Sequence, residues 1–225
     1  MAKDSWHERR KVLMPAIVDR LQEGLHPDDI LYLAERGLPR KFIKYNLEDY
    51  LRFIKNESWE LMSCYVREFW ERLNQGKGLM FVGPVGTGKT SAATAMLKYT
   101  FAFLKNDEFF QAFADNFPGR LSPEFIVYFW PSAQILMDYF RCKDEFQGKV
   151  NSIVLVIDDV TKVSQDIYKE VLDYIVRYRD HSGLPTIITS QCPLKELFDL
   201  FGLAIHDILR GNNEEIKLIG ESKRG

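Results

Sequence analysis

The sequence predicts an α/β protein built on a parallel sheet. Two patterns carry that expectation. From residue 76 onward, short apolar runs alternate with helical stretches, as in a sheet whose strands are joined by crossover helices. A glycine-rich loop, Gly83-Pro-Val-Gly-Thr-Gly-Lys-Thr90, then follows one apolar run and precedes a helical stretch, while another apolar run ends in Asp158-Asp159.

The 225 residues suit one good-sized domain with a smaller appendage. Residues 1–45 read as a short helical arm. Ser5 followed by Glu8 forms a capping box, Gly24 ends the first helix, Pro27-Asp-Asp opens a second and Gly37-Leu-Pro39 stops it. The mixed charge of the arm fits either a solvated helix pair packed on the main domain or a partner-binding module. Residues 46–225 form the main domain. Its first part, 46–75, predicts two helices capped by Asn46 and Ser58, the second with a core-facing stripe of Met62, Tyr65, Val66, Phe69, Trp70 and Leu73. Five strand-like runs follow, Leu79–Val82, Phe125–Phe129, Ile153–Ile157, Thr186–Thr189 and Ile216–Ile219, with helices at about 89–104, 132–141 and 164–180. The first four runs are continuously apolar or β-branched, the mark of strands buried on both faces. Between the first two, residues 105–124 carry Phe109, Phe110, Phe113 and Phe117 at helical spacing. Packing accounts for them better than a stacking surface for single-stranded DNA, because Lys105 and Arg120 are the only basic residues there.

Composition excludes several classes. Hydrophobic residues make up 46% and charged residues 28%, which rules out a disordered or collagen-like chain. Acidic residues number 32 against 30 basic ones, a net charge of -2, so any nucleic-acid contact needs a local patch. Three separated cysteines argue for a reducing compartment, and the four histidines form no zinc-ligand cluster. No apolar run reaches the ~18 residues of a membrane helix. The N-terminal MAKDSWHERRKVLM has no signal-peptide core, so the cytoplasm is the expected compartment, with no membrane partner.

The glycine loop fits GxxxxGK[ST] in full, with the required strand before it and helix after it. Glycines let successive backbone N–H groups face an anion, and the following helix adds its positive end. Gly83, Pro84, Val85, Gly86, Thr87, Gly88, Lys89, Thr90 and Ser91 are therefore the expected ATP-binding residues. Lys89 can reach the β- and γ-phosphates, and the Thr90 hydroxyl can ligate Mg²⁺. Asp158, at the end of a hydrophobic strand, is the second expected Mg²⁺ residue, acting through water, and Asp159 the one that orients the attacking water. Asp159 is one methylene shorter than the glutamate of many related ATPases, so slow hydrolysis is expected. Thr189-Ser190-Gln191 ends a further buried strand in three polar side chains. One of them senses the γ-phosphate if that strand lies between the other two; otherwise this is an ordinary strand end.

Together these residues resemble the AAA+ ATPases of the DnaC/IstB type, which are bacterial helicase loaders and transposition helpers. The resemblance covers about residues 36–225 and rests on RGLPRKF (36–42), GKGLMFVGPVGTGKT (76–90), VLVIDDV (154–160), LPTIITSQ (184–191) and IKLIGESKRG (216–225). It implies a P-loop AAA+ core with five parallel strands in the order 5-1-4-3-2, flanked by helices, and a reduced lid. It makes Gln191 the residue in the place of the usual asparagine after Thr-Ser, and Arg224 a sensor-2 arginine. For the arginine finger of a neighbouring subunit, Ile208 occupies the usual place, and Arg210 takes the role if the helix is shifted. The arm is shorter than the family's helicase-binding domain.

The resemblance implies a slow, assembly-dependent ATPase that uses Mg²⁺ and forms an ATP-dependent homo-oligomer. Its partners would be a replicative helicase and single-stranded DNA in DNA replication. Two alternatives share the same motifs, an IstB-type transposition helper on duplex DNA and a nucleotide-gated regulator with negligible turnover. A small-molecule kinase lacks an acceptor lid, and no GxSxG elbow supports a hydrolase.

Overall fold

The computed structural model describes residues 26–43, 64–65, 68–105, 110–111, 115, 126–160, 166–193, 195–197 and 202–219. Five strands, β1 (Gly78–Val82), β2 (Val127–Pro131), β3 (Val154–Val160), β4 (Thr186–Ser190) and β5 (Asn213–Lys217), form one parallel sheet in the order β2-β3-β4-β1-β5. Read from the β5 edge, this is the 5-1-4-3-2 order that the resemblance implies. The helices are α1 (Pro27–Glu35), α2 (Phe69–Asn74), α3 (Lys89–Leu104), α4 (Ser132–Arg141), α5 (Lys143–Val150), α6 (Asp166–His181) and α7 (Leu203–Asn212). No helix among the described residues is long and apolar enough to cross a membrane.

The apolar strand runs supply two cores because successive side chains point to opposite faces. Leu79, Phe81, Phe129, Val154, Val156 and Ile187 pack under α3 with Leu33, Tyr65 and Leu73. Met80, Val82, Trp130, Leu155, Ile157 and Ile188 pack with Ile135, Phe146, Leu172, Ile175, Ile205 and Leu209 from α4 to α7. Fully burying one such side chain stabilises by about 1.5–3 kcal/mol, so β1 to β4 are each held from both sides, whereas the edge strand β5 buries only Ile216, on the α3 side. α3 is buried almost all round, which explains its alanines and its weak amphipathic pattern.

The chain between α1 and the first core residues covers the β2 edge. Leu33 and Leu38 are buried in the core, and the Phe129 N–H donates to the Arg36 carbonyl at 2.9 Å. Gly37 makes this approach possible: its φ is +85°, and any Cβ would collide with the Phe129 carbonyl. Lys98, buried in α3, donates to the Ile43 carbonyl at 2.7 Å. The expected first arm helix, with Ser5, Glu8 and Gly24, lies outside the described residues, as do Asn46, Ser58, Met62 and Val66. Of the phenylalanine cluster, Phe110 is described and packs against the core, whereas Phe109, Phe113 and Phe117 lie outside.

Several elements differ from expectation, and β3 is one of them: it continues past Ile157 through both acids to Val160. β5 begins three residues before the apolar run, because the Asn213 amide donates to the carbonyls of Leu79 and Thr186 and fixes the start of the strand. β2 runs on to Pro131, with the Trp130 indole N–H satisfied by Asp138 at 2.8 Å. α5 has no apolar stripe to announce it; it buries Phe146, Lys149 and Val150, and Lys149 is ion-paired to Asp138 and Glu145.

The largest buried charge is Arg179 in α6, fully buried at the amino ends of β3 and β4. Its Nε donates to the Thr186 hydroxyl, and its two terminal nitrogens donate to the carbonyls of Val150, Ser152, Ile153 and Pro185. Burial pulls its pKa down, yet this shell accepts all five guanidinium protons and so favours the charged form. Arg179→Lys keeps the charge but offers only three donors, leaving acceptors unpaired. Urea denaturation of this variant should show a loss of about 2–4 kcal/mol. A midpoint equal to that of wild type would contradict a stabilising role for the Arg179 hydrogen-bond shell.

Candidate functional site

The candidate residues converge at the carboxyl ends of β1, β3 and β4. Parallel pairing brings this about: β4 lies between β1 and β3, so three loops leave the sheet side by side. The β1–α3 loop curls through Gly83, Gly86 and Gly88, all with positive φ. Gly83, at φ +152°, also lies against the Leu218 carbonyl, where a side chain would collide. The Thr87 hydroxyl closes the loop by donating to the Pro84 carbonyl at 2.9 Å. Gly88 caps α3 without a side-chain hydrogen bond, so no side chain competes for the helix's first N–H groups.

Lys89 is buried and lies inside its own loop, with Nζ donating to the carbonyls of Gly83 and Pro84 at 2.8 Å each. Thr90 follows it, and its hydroxyl donates to Asp158 Oδ2 at 3.3 Å. This contact joins the glycine loop to the end of β3 across 68 residues of sequence. Ser91 is half-buried in the first turn of α3, and Val85 stands exposed at the loop tip.

The β3 end is irregular. The β3–β4 register shifts between Ile157 and Val160, and Asp159 has φ +59°, the only positive value among the described non-glycine residues. Such a backbone is uncommon outside glycine and needs fixing by its surroundings. The fixing is visible. The Asp159 N–H donates to the Thr189 hydroxyl at 2.8 Å, and the Ser132 hydroxyl donates to the Asp159 carbonyl at 2.7 Å. The Ser190 hydroxyl donates to the Val160 carbonyl at 2.7 Å. Thr189 also donates to Asp158 Oδ1 at 2.7 Å, and the Gln191 amide reaches Asp159 Oδ1 at 3.2 Å.

Burial raises the Asp158 pKa, and its neighbour Asp159 adds to the rise; the Thr189 and Thr90 hydroxyls and the Lys89 ammonium oppose it. Two adjacent carboxylates and a threonine hydroxyl are hard oxygen donors that fit Mg²⁺. Among the described residues no group of three or more His, Cys, Asp or Glu could hold a metal alone. Mg²⁺ bound with nucleotides is commonly held by one or two protein oxygens together with phosphates and water.

Lys89, Thr90, Asp158, Asp159 and Gln191 therefore share one site. Arg210 does not join them: it is exposed in the last turn of α7, while Ile208 faces the core. Arg224 lies outside the described residues. Sequence reading singled out Gln191 from the Thr-Ser-Gln trio, whereas Thr189 makes the most direct contact with both acids. Ser132 had no signal, because a serine opening a helix reads as a cap.

No family model and no curated protein matches the chain. Solved structures do. The DnaC helicase loader is 26% identical, with a TM-score of 0.62 over 80% of this chain and 100% of that one. A putative primosome component from Streptococcus pyogenes serotype M3 is 23% identical, with a TM-score of 0.60 over 86% and 98%. AMPPCP-bound DnaA from Aquifex aeolicus is 19% identical, with a TM-score of 0.51 over 80% of this chain and 52% of that one. The fold is that of the AAA+ ATPases, and these neighbours are consistent with the DnaC/IstB type.

Thr189→Val keeps the shape and removes the hydroxyl that serves both acids. Titration with a fluorescent ATP analogue should show about tenfold weaker binding in Mg²⁺, the effect of about 1.4 kcal/mol, and little change in EDTA. An equal loss under both conditions would place the effect in the fold rather than at the acids.

Proposed function

We propose that the chain is an ATP-binding and ATP-hydrolysing AAA+ helicase loader acting in the initiation of DNA replication. The Thr90–Asp158 contact carries this reading, since it brings a phosphate loop after β1 and an acid fit to bind a metal at the end of β3 together across the intervening β4. The likeness to the solved chain of the DnaC helicase loader, over all of that chain and 80% of this one, supports the choice of class.

Gly83 to Ser91 cradle the phosphates of ATP with backbone N–H groups and the start of α3. Lys89 exchanges the carbonyls of Gly83 and Pro84 for the β- and γ-phosphates. Thr90 and Asp158 hold Mg²⁺, which when bound neutralises charge on the phosphates. Asp159 accepts a hydrogen bond from the attacking water and aligns it, and Gln191, bonded to the same carboxylate, reads the γ-phosphate. Arg210, exposed and apart from its own site, serves the nucleotide of a neighbouring subunit in an ATP-dependent homo-oligomer, and Arg224 acts as sensor 2. Hydrolysis is slow and depends on assembly, which suits a switch that holds and releases a replicative helicase on single-stranded DNA. The residues before α1 are the helicase-binding segment. The work is done in the cytoplasm.

A pull-down from native-host lysate with ATP tests this, with Lys89→Ala as control. The replicative helicase should be recovered by wild type and lost with Lys89→Ala. Recovery of a transposase instead would move the protein to the transposition class. A second test removes residues 1–25, which spares Leu33 and Leu38 in the core. ATP affinity should stay within about twofold of wild type, a change under about 0.5 kcal/mol, and helicase capture should be lost. Retained capture would show that this segment does not hold the helicase.

A further inference from the structure

We propose that Ser132 is a positioning residue for ATP hydrolysis: from the start of α4 it holds the strained Asp159 turn that presents the water-orienting carboxylate. This rests on the reading of Asp159 given above and adds a residue that no motif marks.

A non-glycine residue in the left-handed region relaxes toward extended geometry unless both of its peptide groups are held. At Asp159 they are held by different elements. Thr189, from β4, takes the N–H, and Ser132, from α4, gives its proton to the carbonyl. Relaxation of the turn would swing the Asp159 carboxylate away from Gln191. Of the two restraints, only Ser132 is free of other duties at the acids. Thr189 also bonds the Asp158 carboxylate, so its loss would alter the metal position as well.

Ser132 is built for a restraint rather than a cap. It is the first residue of α4, after the Pro131 cap, and its hydroxyl is committed to another strand's carbonyl instead of its own helix. It is buried, and water has little access to compete for the bond. Tyr168 of α6, also buried, lies next to it and within electrostatic reach of Asp159. The strand register gives the anchor its stiffness: Pro131 of β2 pairs with Asp158 of β3, so Ser132 and Asp159 leave paired strands at the same level.

The placement separates binding from turnover. Ser132 touches neither the glycine loop nor the Asp158 carboxylate, so nucleotide affinity should not depend on it. A small misplacement of the carboxylate that aligns the water costs turnover, by up to about a hundredfold for ~1 Å.

The test compares Ser132→Ala and Ser132→Thr with wild type and Lys89→Ala in the assembled oligomer. The readouts are AMPPCP affinity in Mg²⁺, single-turnover hydrolysis and thermal melting. Ser132→Ala should lower the hydrolysis rate at least about tenfold with affinity within about twofold of wild type. Ser132→Thr, which keeps the hydroxyl, should recover most of the rate. Several results overturn the proposal: a rate for Ser132→Ala within twofold of wild type, a fall in rate matched by a fall in affinity, or a threonine variant as slow as alanine. If Ser132→Ala does not fold, the rate and affinity of Ser132→Thr decide, since loss of rate there with affinity kept contradicts a role carried by the hydroxyl. If wild type itself hydrolyses no faster than Lys89→Ala, the ATPase reading fails and the proposal falls with it. That outcome is read from wild type alone and is distinct from a failure at Ser132.

Discussion

The Thr189 hydroxyl gives its proton to the Asp158 carboxylate and takes the amide proton of Asp159. Through these two bonds the end of β4 fixes the end of β3, where the register slips and the backbone turns left-handed. Asp158 in turn accepts from Thr90 at the start of α3. One threonine on a central strand therefore sets the position of both acids, and through Asp158 their relation to the glycine loop. The buried hydroxyl can do this because β4 is sandwiched between β1 and β3 and cannot shift without breaking two ladders.

The same strand pair is pinned at its other end. Arg179 gathers carbonyls from the end of α5, the approach to β3 and the approach to β4 into one guanidinium shell. Between Arg179 and Thr189 the strand residues are apolar, Val154, Leu155, Val156 and Ile157 in β3 and Ile187 and Ile188 in β4, and they face both cores. A polar clamp at each end with apolar strand residues between fixes register in a way that hydrophobic burial alone, being non-directional, does not. The β2 edge is fixed differently, by Gly37 and the Arg36 carbonyl, and the β5 edge by the Asn213 side chain. The candidate site thus sits at the carboxyl ends of β1, β3 and β4, the central strands of the sheet.

Much of this was legible in the sequence. The glycine loop carries its own structural context, and the buried strands announced themselves as continuous apolar runs. Their order came from the resemblance and not from local pattern, because strand order is a property of crossovers that no single run encodes. β5 was misplaced because an edge strand needs fewer apolar residues, and its start is set by an asparagine side chain. α5 was missed because it is pinned by Lys149 ion pairs and two buried apolar residues and lacks an apolar stripe. At the site, Lys89, Thr90, Asp158 and Asp159 were readable from motif chemistry. Ser132 was not, since its partner lies on another strand and its type and spacing match a common helix start.

On the proposed function, the glycine loop and the paired acids form one Mg²⁺-nucleotide site. Isothermal titration of the full chain with AMPPCP, in Mg²⁺ and then in EDTA, tests it most directly. One nucleotide per chain, bound at least about tenfold more tightly in Mg²⁺, is the predicted result. No binding, or equal affinity under both conditions, would contradict the claim, because the loop would then work without the acids that the fold sets beside it.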